Sequence, residues 1–224
     1  FSLSKDVSVD RKFLSYRHAL SEQGYMDLNF LTKYAKQNNP LDFEKINEST
    51  ENKQFYIVAT NLENGKPVYL EPNPKNHYKC LQATSSLPFF TKGSCEINGV
   101  NFMDGAWSDG IPAKSAVDFG ATKIIVIRPN PLGYKLSGLS YMGLAAGYWW
   151  RNNPEVSNNF FDEGSRYNES VDFLTKDHEG VEILQICPDS FLKSNVVGTS
   201  IDDLNHDYHN GLEKGMDFLN TYFQ

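Results

Sequence analysis

The chain has 224 residues, of which 40% are hydrophobic and 13% aromatic, and its formal net charge is −7. This hydrophobic fraction is enough for a sizeable core, which excludes disorder as the overall state. The negative charge excludes a nucleic acid or an anionic membrane held by bulk charge. No apolar run approaches the roughly 20 residues that span a bilayer, and the three scattered cysteines fit reduced thiols, so we expect a cytoplasmic protein.

The N-terminal part reads as helical. Apolar residues recur at near-helical spacing within residues 7–36 and are interrupted at Gly24. A second short helix is predicted over residues 28–35, with Asp27 as its N-cap.

Two hairpins are predicted next. Residues 55–60 have the composition of a buried strand, and a turn at Asn64-Gly65 returns the chain as a strand over 67–70. Strands over 94–97 and 100–103 flank Asn98-Gly99, which is the strongest signal for a type I′ turn.

The remaining elements predict a layered sheet. Helices are expected over 77–85 and 113–119, with Pro112 opening the second. The apolar run 123–128 is typical of a strand buried on both faces, which suggests an α/β fold. Beyond it, residues 136–176 favour helix, 181–186 a strand, and 201–222 a terminal helix capped by Ser200.

A carboxylate follows the second hairpin directly. Asp104 comes after the strand and is followed by Gly105, which we expect to let the backbone turn sharply beside the carboxylate. In α/β sheets, ligands bind at the carboxyl ends of strands. A carboxylate there can orient or deprotonate a nucleophile, although Asp-Gly is also a common turn dipeptide.

Four segments resemble the patatin-like phospholipases, and one of them is residues 112–128, which resemble the family's helix, Gly-Ala pair and apolar strand. Residues 99–112 read GVNFMDGAWSDGIP and are similar to the family's second signature, an Asp-Gly-Gly or Asp-Gly-Ala triplet after a strand and before a helix that starts at proline. Residues 83–90, ATSSLPFF, resemble the segment that precedes this hairpin. Residues 24–31, GYMDLNFL, resemble a stretch of the family's bacterial branch.

The resemblance implies a three-layer α/β/α domain with a central, mostly parallel sheet, covering residues 1–224, with 137–224 as a helical and strand extension. It also implies a Ser–Asp dyad in which the serine attacks an acyl ester and Asp104 accepts its proton. Gly105 and Ala106 would support the loop. The chemistry implies no metal and no cofactor. Gly110 stands where an Asn is frequent in the family, so a side chain that braces the loop is missing.

The nucleophile of such a dyad is missing from these residues. A nucleophile elbow has the pattern G-x-S-x-G, which occurs nowhere in the chain, and neither does a Gly-Gly pair for an oxyanion loop. Ser140 comes nearest, but Met142 replaces the second glycine, and we interpret Ser140 as a helix-start residue. Because the chain begins with Phe1, we expect that the N-terminal part of the domain, with its serine and oxyanion donors, has been lost by truncation or cleavage.

Other candidates have plainer interpretations. His206 and His209 share a helix face that we expect to be solvated, and Asp109 is expected to brace the loop, although a paired carboxylate stays open. A thiol hydrolase using Cys80 or Cys95 is a weaker option. The apolar run 141–150 is expected to pack in the core, with an acyl pocket or a lipid-docking surface as the alternative.

The sequence therefore predicts a serine esterase or lipase acting on lipid acyl esters, with transient contact to a membrane surface as an option. The 224-residue chain by itself is expected to be inactive because it lacks the nucleophile. The rival hypothesis is a degenerate patatin-like domain with a lipid-binding or regulatory role. The coding sequence upstream of Phe1 distinguishes the two.

Overall fold

The computed structural model describes residues 10, 12–15, 24–38, 40–42, 53–195 and 198–223. They form two compact units. The first unit comprises the described part of Asp10–Gly110 together with Ser137–Arg166, and the second contains Ile111–Leu136 with the described part of Tyr167–Gln224. The prediction of one domain over residues 1–224 stays a prediction, because this division by contacts does not test it.

The described helices and strands are mixed along the chain, which confirms the α/β class. In chain order they are α1 (Leu28–Asn38), β1 (Ile57–Asn61), β2 (Pro67–Leu70), α2 (His77–Thr84), β3 (Cys95–Ile97), β4 (Val100–Asp104), α3 (Ala106–Asp109), α4 (Ala113–Asp118), β5 (Lys123–Ile127), α5 (Tyr141–Trp149), α6 (Pro154–Phe161), α7 (Glu163–Thr175), β6 (Glu182–Ile186) and α8 (Ile201–Tyr222).

The first unit is built on a four-stranded sheet with the order β2-β1-β4-β3. All three of its strand pairs are antiparallel. Both predicted hairpins are confirmed, and Asn98 and Gly99 have φ angles of 52° and 84°, the left-handed pair that a type I′ turn requires. The predicted mostly parallel sheet does not describe these strands, because hairpin connections force neighbouring strands to run in opposite directions.

Helices cover both faces of this sheet. Successive residues of a strand point to opposite faces, so Phe102 and Met103 of β4 enter different clusters. Phe102 packs with Ala83 of α2. Met103 packs with Trp107 and with Phe160 of α6, whose side chain is completely buried. The end of β4 is therefore held by packing from above and below.

The second unit contains a two-stranded parallel sheet, β5 and β6, in which Ile124 faces Ile183. One face packs on a cluster that includes Ile111, Val171 and Leu174. The other face of β5 is open, since Ile125 and Ile127 are 44% and 76% exposed. The prediction that this strand is buried on both faces is wrong for these described residues, because the hydrophobic cluster covers only the face that carries Ile124 and Val126.

Two further predictions have definite outcomes. The terminal helix α8 is confirmed, with Ser200 and Asp203 forming a capping box at its start. The helical expectation for residues 12–15 is wrong, because Leu14 forms an isolated antiparallel bridge with Met26. The rest of that first predicted helix, before Gly24, lies largely outside the described residues.

Candidate functional site around Asp104

Asp104 is the last residue of β4, and its backbone is fixed on both sides. It pairs with Ala59 of β1, and its N–H donates to the Ser86 carbonyl oxygen at 3.0 Å. Its own carbonyl oxygen accepts a hydrogen bond of 2.7 Å from Thr60 Oγ1. Because these groups belong to a sheet and an adjoining loop, the position of the carboxyl group is set by rigid surroundings.

The carboxyl group of Asp104 is half-buried. Its Oδ1 accepts a 2.8 Å hydrogen bond from the Ala106 N–H. Desolvation raises the pKa of Asp104 from 3.8 to about 6. It outweighs the hydrogen bond from the Ala106 N–H, which lowers the pKa. Among the described residues no donor is hydrogen-bonded to Oδ2. One carboxylate oxygen is thus oriented by the backbone at the start of α3.

Gly105 is needed here for a reason other than the predicted sharp turn. Its φ and ψ of −66° and −22° are ordinary helical values that any residue adopts. A Cβ on Gly105, however, would lie 2.4 Å from the Val58 carbonyl oxygen. The glycine therefore permits close contact between the Asp104 loop and the backbone of β1.

A short helix, α3, begins directly after the carboxylate, earlier than the helix that the sequence predicts near Pro112. Ala106 is its first residue and is exposed. Ser108 is buried, with its Oγ 2.8 Å from Thr60 Oγ1. Trp107 packs against Phe160 with ring centroids 4.6 Å apart. Within the described part of the chain, its indole N–H has no hydrogen-bond acceptor.

Asp109 braces the loop, as the sequence suggests. Its Oδ2 accepts a short hydrogen bond from the Tyr69 hydroxyl of β2. This contact ties α3 to the far edge of the sheet, because β2 is an outer strand. Asp109 therefore has a structural partner, and a proton shared with Asp104 is not required to explain it.

Three of the segments that carry the family resemblance meet beside Asp104. The Met26 N–H donates to the Phe90 carbonyl oxygen at 2.7 Å. A Cβ on Gly24 would lie 2.3 Å from the Thr91 backbone. The Ser86 carbonyl oxygen of the same loop accepts a hydrogen bond from the Asp104 N–H. Stretches that lie far apart in the sequence therefore form one local structure.

Next to this structure lies a cavity that the sequence did not predict. Its volume is about 530 Å³. Its lining includes Asp27, Asn29, Lys79, Gln82, Ser86 and Lys92. Asp27 also caps α1 as predicted, by accepting from the N–H groups of Asn29 and Phe30. A sequence pattern could not reveal the cavity, because its walls come from α1, α2 and the loop before β3.

The thiol alternative loses support in the structure. Cys80 and Cys95 are buried, and burial raises the pKa of both thiols. A reactive cysteine needs a lowered pKa, because the thiolate is the nucleophile. All three cysteines, including Cys187, are free.

Ser140 and Ser200 serve as helix caps. Ser140 Oγ accepts from the Gly143 N–H at 2.9 Å and donates to Glu163 Oε2. Ser200 Oγ accepts from the Asp203 N–H at 3.1 Å. Both serines are thus helix-start residues, as predicted for Ser140.

The histidines and acidic residues of α8 do not form a metal site. His206 Nδ1 lies 3.3 Å from Asp207 Oδ1. Desolvation opposes ionisation of Asp207, yet hydrogen bonds from Ser194, Lys193 and His206 lower its pKa to about 2. Asp207 therefore anchors the preceding loop. Over the described ranges no group of three His, Cys, Asp or Glu residues could hold a metal ion.

The apolar helix α5 is not the core helix that its sequence favours. Its buried residues are Gly143, Ala146 and Gly147. The large side chains point outward, with Tyr148 and Trp149 66% and 69% exposed. Trp149 meets Phe89 edge to face, at 6.3 Å between ring centroids. Phe89 has a φ of 66°, a strained value for a bulky residue, and it belongs to the loop that contacts Asp104.

None of the described helices is both long and apolar enough to cross a membrane.

Comparison with known proteins gives two matches. Residues 153–224 match the family model DUF6363, a domain of unknown function. The chain is 26% identical over 215 residues to the uncharacterized protein YjjU of Escherichia coli K12. The match covers 96% of this chain and 60% of YjjU, so the chain spans 60% of the length of this relative.

Proposed function

We propose that Asp104 is the general base of a Ser–Asp dyad in a patatin-like acyl-ester hydrolase. The observation that carries the proposal is the Asp104 carboxyl at the end of β4, with Oδ1 held by Ala106 and a pKa of about 6. A base works best when its pKa lies near the operating pH. At neutral pH this carboxyl group is mostly ionised and can still accept a proton.

The reaction needs a serine and oxyanion donors, which we assign to polypeptide beyond these 224 residues. The serine Oγ attacks the ester carbonyl carbon while Asp104 takes the serine proton. Asp104 then returns that proton to the departing alcohol. Water hydrolyses the acyl-enzyme in the reverse sense, with Asp104 again taking and returning a proton, and releases the carboxylic acid. Backbone N–H groups would stabilise the oxyanion.

The fold that we propose for the whole enzyme is a three-layer α/β/α domain of the patatin type. The clusters on both faces of the first unit's sheet support it, as does the meeting of three of the resembling segments. The chemistry requires neither metal nor organic cofactor.

We further propose that lipid acyl esters are the substrates. Tyr148 and Trp149 of α5 are exposed, and Trp149 contacts Phe89, three residues from Ser86. Trp and Tyr favour the boundary between water and lipid. An aromatic surface beside the Asp104 loop suits transient contact with a lipid aggregate and entry of an acyl chain.

A fluorophosphonate probe tests the serine chemistry. The protein translated from its complete reading frame should be labelled by the probe, and iodoacetamide pretreatment should leave that labelling unchanged. The 224-residue chain should not be labelled. Labelling blocked by iodoacetamide would show a cysteine enzyme, and labelling of the 224-residue chain would place the nucleophile within it.

The alternative is a degenerate patatin-like domain that binds lipid or regulates a partner without catalysis. The exposed aromatic side chains of α5 favour this function as well, because they need no nucleophile. The coding sequence upstream of Phe1 discriminates between the two. A Gly-rich loop and a G-x-S-x-G motif encoded there support the hydrolase. The absence of both from that coding sequence supports the binding domain.

A further inference from the structure

We propose that a cavity at the carboxyl ends of β5 and β6 is a binding site for a small aliphatic carboxylic acid in its ionised form. The cavity has a volume of about 340 Å³, which lies within the range of roughly 300 to 1,000 Å³ for small-molecule sites. Its lining residues all belong to the second unit, whereas Asp104 belongs to the first. The inference therefore does not rest on the proposed hydrolase activity.

The cavity lies where the two parallel strands end. Ile127 and Ile186 are cross-strand partners there, and the residues that follow them, 128–129 and 187–188, also line the cavity. Helix α8 contributes Asn210 and Lys214 to the lining. In open α/β sheets, ligands bind outside the carboxyl ends of parallel strands. The cavity therefore has a position at which this class of fold commonly holds a ligand.

Apolar side chains line one part of the cavity. They are Ile127, Ile186 and Leu192, together with Pro129 and Pro188. Ile127 is 76% exposed, although Ile124 of the same strand is buried. An aliphatic chain in the cavity would remove this apolar surface from water, which favours binding. A bare inorganic ion would gain nothing from these side chains.

Arg128 brings a buried positive charge to the same lining. Its side chain belongs to a residue that is 5% exposed, and the guanidinium donates to Gln185 Oε1, to the Tyr134 carbonyl oxygen and to the Tyr167 hydroxyl oxygen at 2.9 to 3.4 Å. All of these acceptors are uncharged. In the described part of the chain, Nε of Arg128 has no acceptor and no carboxylate forms an ion pair with the guanidinium. Since buried charges are normally paired, this guanidinium lacks an anionic partner.

Polar groups of the lining lie near this guanidinium. Burial raises the pKa of the Cys187 thiol and the positive charge of Arg128 lowers it, so the guanidinium is close to another residue of the cavity wall. Asn210 adds a side-chain amide that has no hydrogen-bond partner among the described residues, and a carboxylate can accept from its N–H groups. Lys214 adds a second cation, which is already held by Asp189 at 2.6 Å.

Asp207 is the acidic residue of the lining, and it is engaged elsewhere. Its Oδ1 and Oδ2 accept from the backbone N–H groups of Lys193 and Ser194 at 3.1 and 2.7 Å. The guanidinium of Arg128 is consequently left to a ligand. A carboxylate has a single negative charge, which one guanidinium balances, whereas a phosphate monoester has a larger charge. The charge and the apolar wall together are complementary to an ionised carboxylic acid with an aliphatic chain.

Isothermal titration calorimetry with octanoate tests the proposal in the protein translated from its complete reading frame. Octanoate should bind at one saturable site. Neither 1-octanol, which lacks the charge, nor inorganic phosphate, which lacks the chain, should displace it at equal concentration. Displacement by either compound would overturn the proposal. Failure of octanoate to bind would assign the guanidinium to a carboxylate of the polypeptide itself and would overturn it as well.

A charge variant with a matched control locates the bound octanoate. Arg128→Gln should weaken octanoate binding by at least about tenfold, because it removes the charge that the carboxylate contacts. Lys123→Gln is the control, since Lys123 is a cation at the other end of β5, and this variant should bind octanoate as wild type does. Equal weakening in both variants would overturn the proposal, because it would show attraction by overall charge.

Gly211→Leu gives a second readout, which remains if Arg128→Gln does not fold. Gly211 lines the cavity, and outside its own helix a Cβ there would meet no described atom within 4 Å. A leucine side chain therefore fits at this position and occupies space that the aliphatic chain needs. Octanoate binding should weaken by about tenfold or more. Unchanged binding in either folded variant, Arg128→Gln or Gly211→Leu, would place octanoate elsewhere and overturn the proposal.

Discussion

At the residue scale, the sequence pointed to the Asp104 carboxylate, but it did not show why a glycine must follow Asp104 or why the pKa of Asp104 is raised. Asp104 follows a strand and precedes a glycine, and both features are visible in the sequence. The clash that a Cβ on Gly105 would make with Val58 depends on β1, 47 positions earlier in the chain. The raised pKa depends on burial. Neither can be read from local sequence.

Asp104→Asn should stabilise the protein at high pH. The raised pKa of about 6 means that protonated Asp104 favours the folded state. This contribution is fully present below pH 3.8 and is lost as the pH rises through 6. Asn retains the acceptor for the Ala106 N–H and has no charge to desolvate. We expect a gain of about 1 to 2 kcal/mol at pH 8, allowing for solvent around the half-buried group.

Urea unfolding measures this gain when the wild-type protein and Asp104→Asn are compared at about pH 3.5 and about pH 8, on either side of the range in which the carboxyl group titrates. The two proteins should be nearly equal in stability at the lower pH. An Asn variant that is less stable than wild type at the higher pH contradicts the assigned cause of the pKa shift.

Gly105→Ala should destabilise the protein by about 1 to 3 kcal/mol, because the added methyl group meets the rigid backbone of β1. Gly110→Ala is the matched control from the same segment. Its Cβ would lie 3.3 Å from the Ala106 carbonyl oxygen at an ordinary φ of −74°, so a change below about 1 kcal/mol is expected. Equal losses in urea unfolding would mean that the close approach to Val58 is unimportant.

At the element scale, the hairpins, α2, α4, β6 and α8 could be predicted because their signals are local. Turn residues, a proline at a helix start and a capping box act within a few positions. Helix α5 was misjudged because an apolar sequence does not say which side faces inward. Gly143, Ala146 and Gly147 allow close packing, and a Cβ on Gly147 would lie 2.7 Å from the Phe161 ring. The aromatic side chains are consequently left outside.

Replacing Tyr148 and Trp149 by Ala should weaken binding to phosphatidylcholine vesicles by about tenfold or more. The reason is the loss of exposed aromatic surface that would enter the lipid boundary. Cosedimentation measures the binding. Phe223→Ala, which removes an aromatic residue that is 59% exposed at the end of α8, should leave it unchanged. Equal weakening of vesicle binding by the double Ala variant and by Phe223→Ala would mean that α5 has no special role in lipid contact.

At the scale of the whole molecule, the sequence predicted a mixed α/β protein, and the described residues confirm it. It did not predict two separate sheets, because strand order depends on pairings between distant residues. β5 looked like an interior strand, and the described residues supply only one of the two neighbours that such a strand has. The candidate site is similarly partial, with Asp104 as the proposed base and no G-x-S-x-G serine in the 224 residues.

The most direct test of the central claim is the pH dependence of kcat/KM for a p-nitrophenyl acyl ester, measured on the protein translated from its complete reading frame and on Asp104→Asn. Wild type should show activity that rises with an apparent pKa near 6, as Asp104 ionises. Asp104→Asn should lose about 100-fold to 10,000-fold in activity, the range for a positioned general base, without any loss of Tm. An Asn variant that keeps wild-type activity and the same pH profile would contradict the assignment of Asp104 as the base.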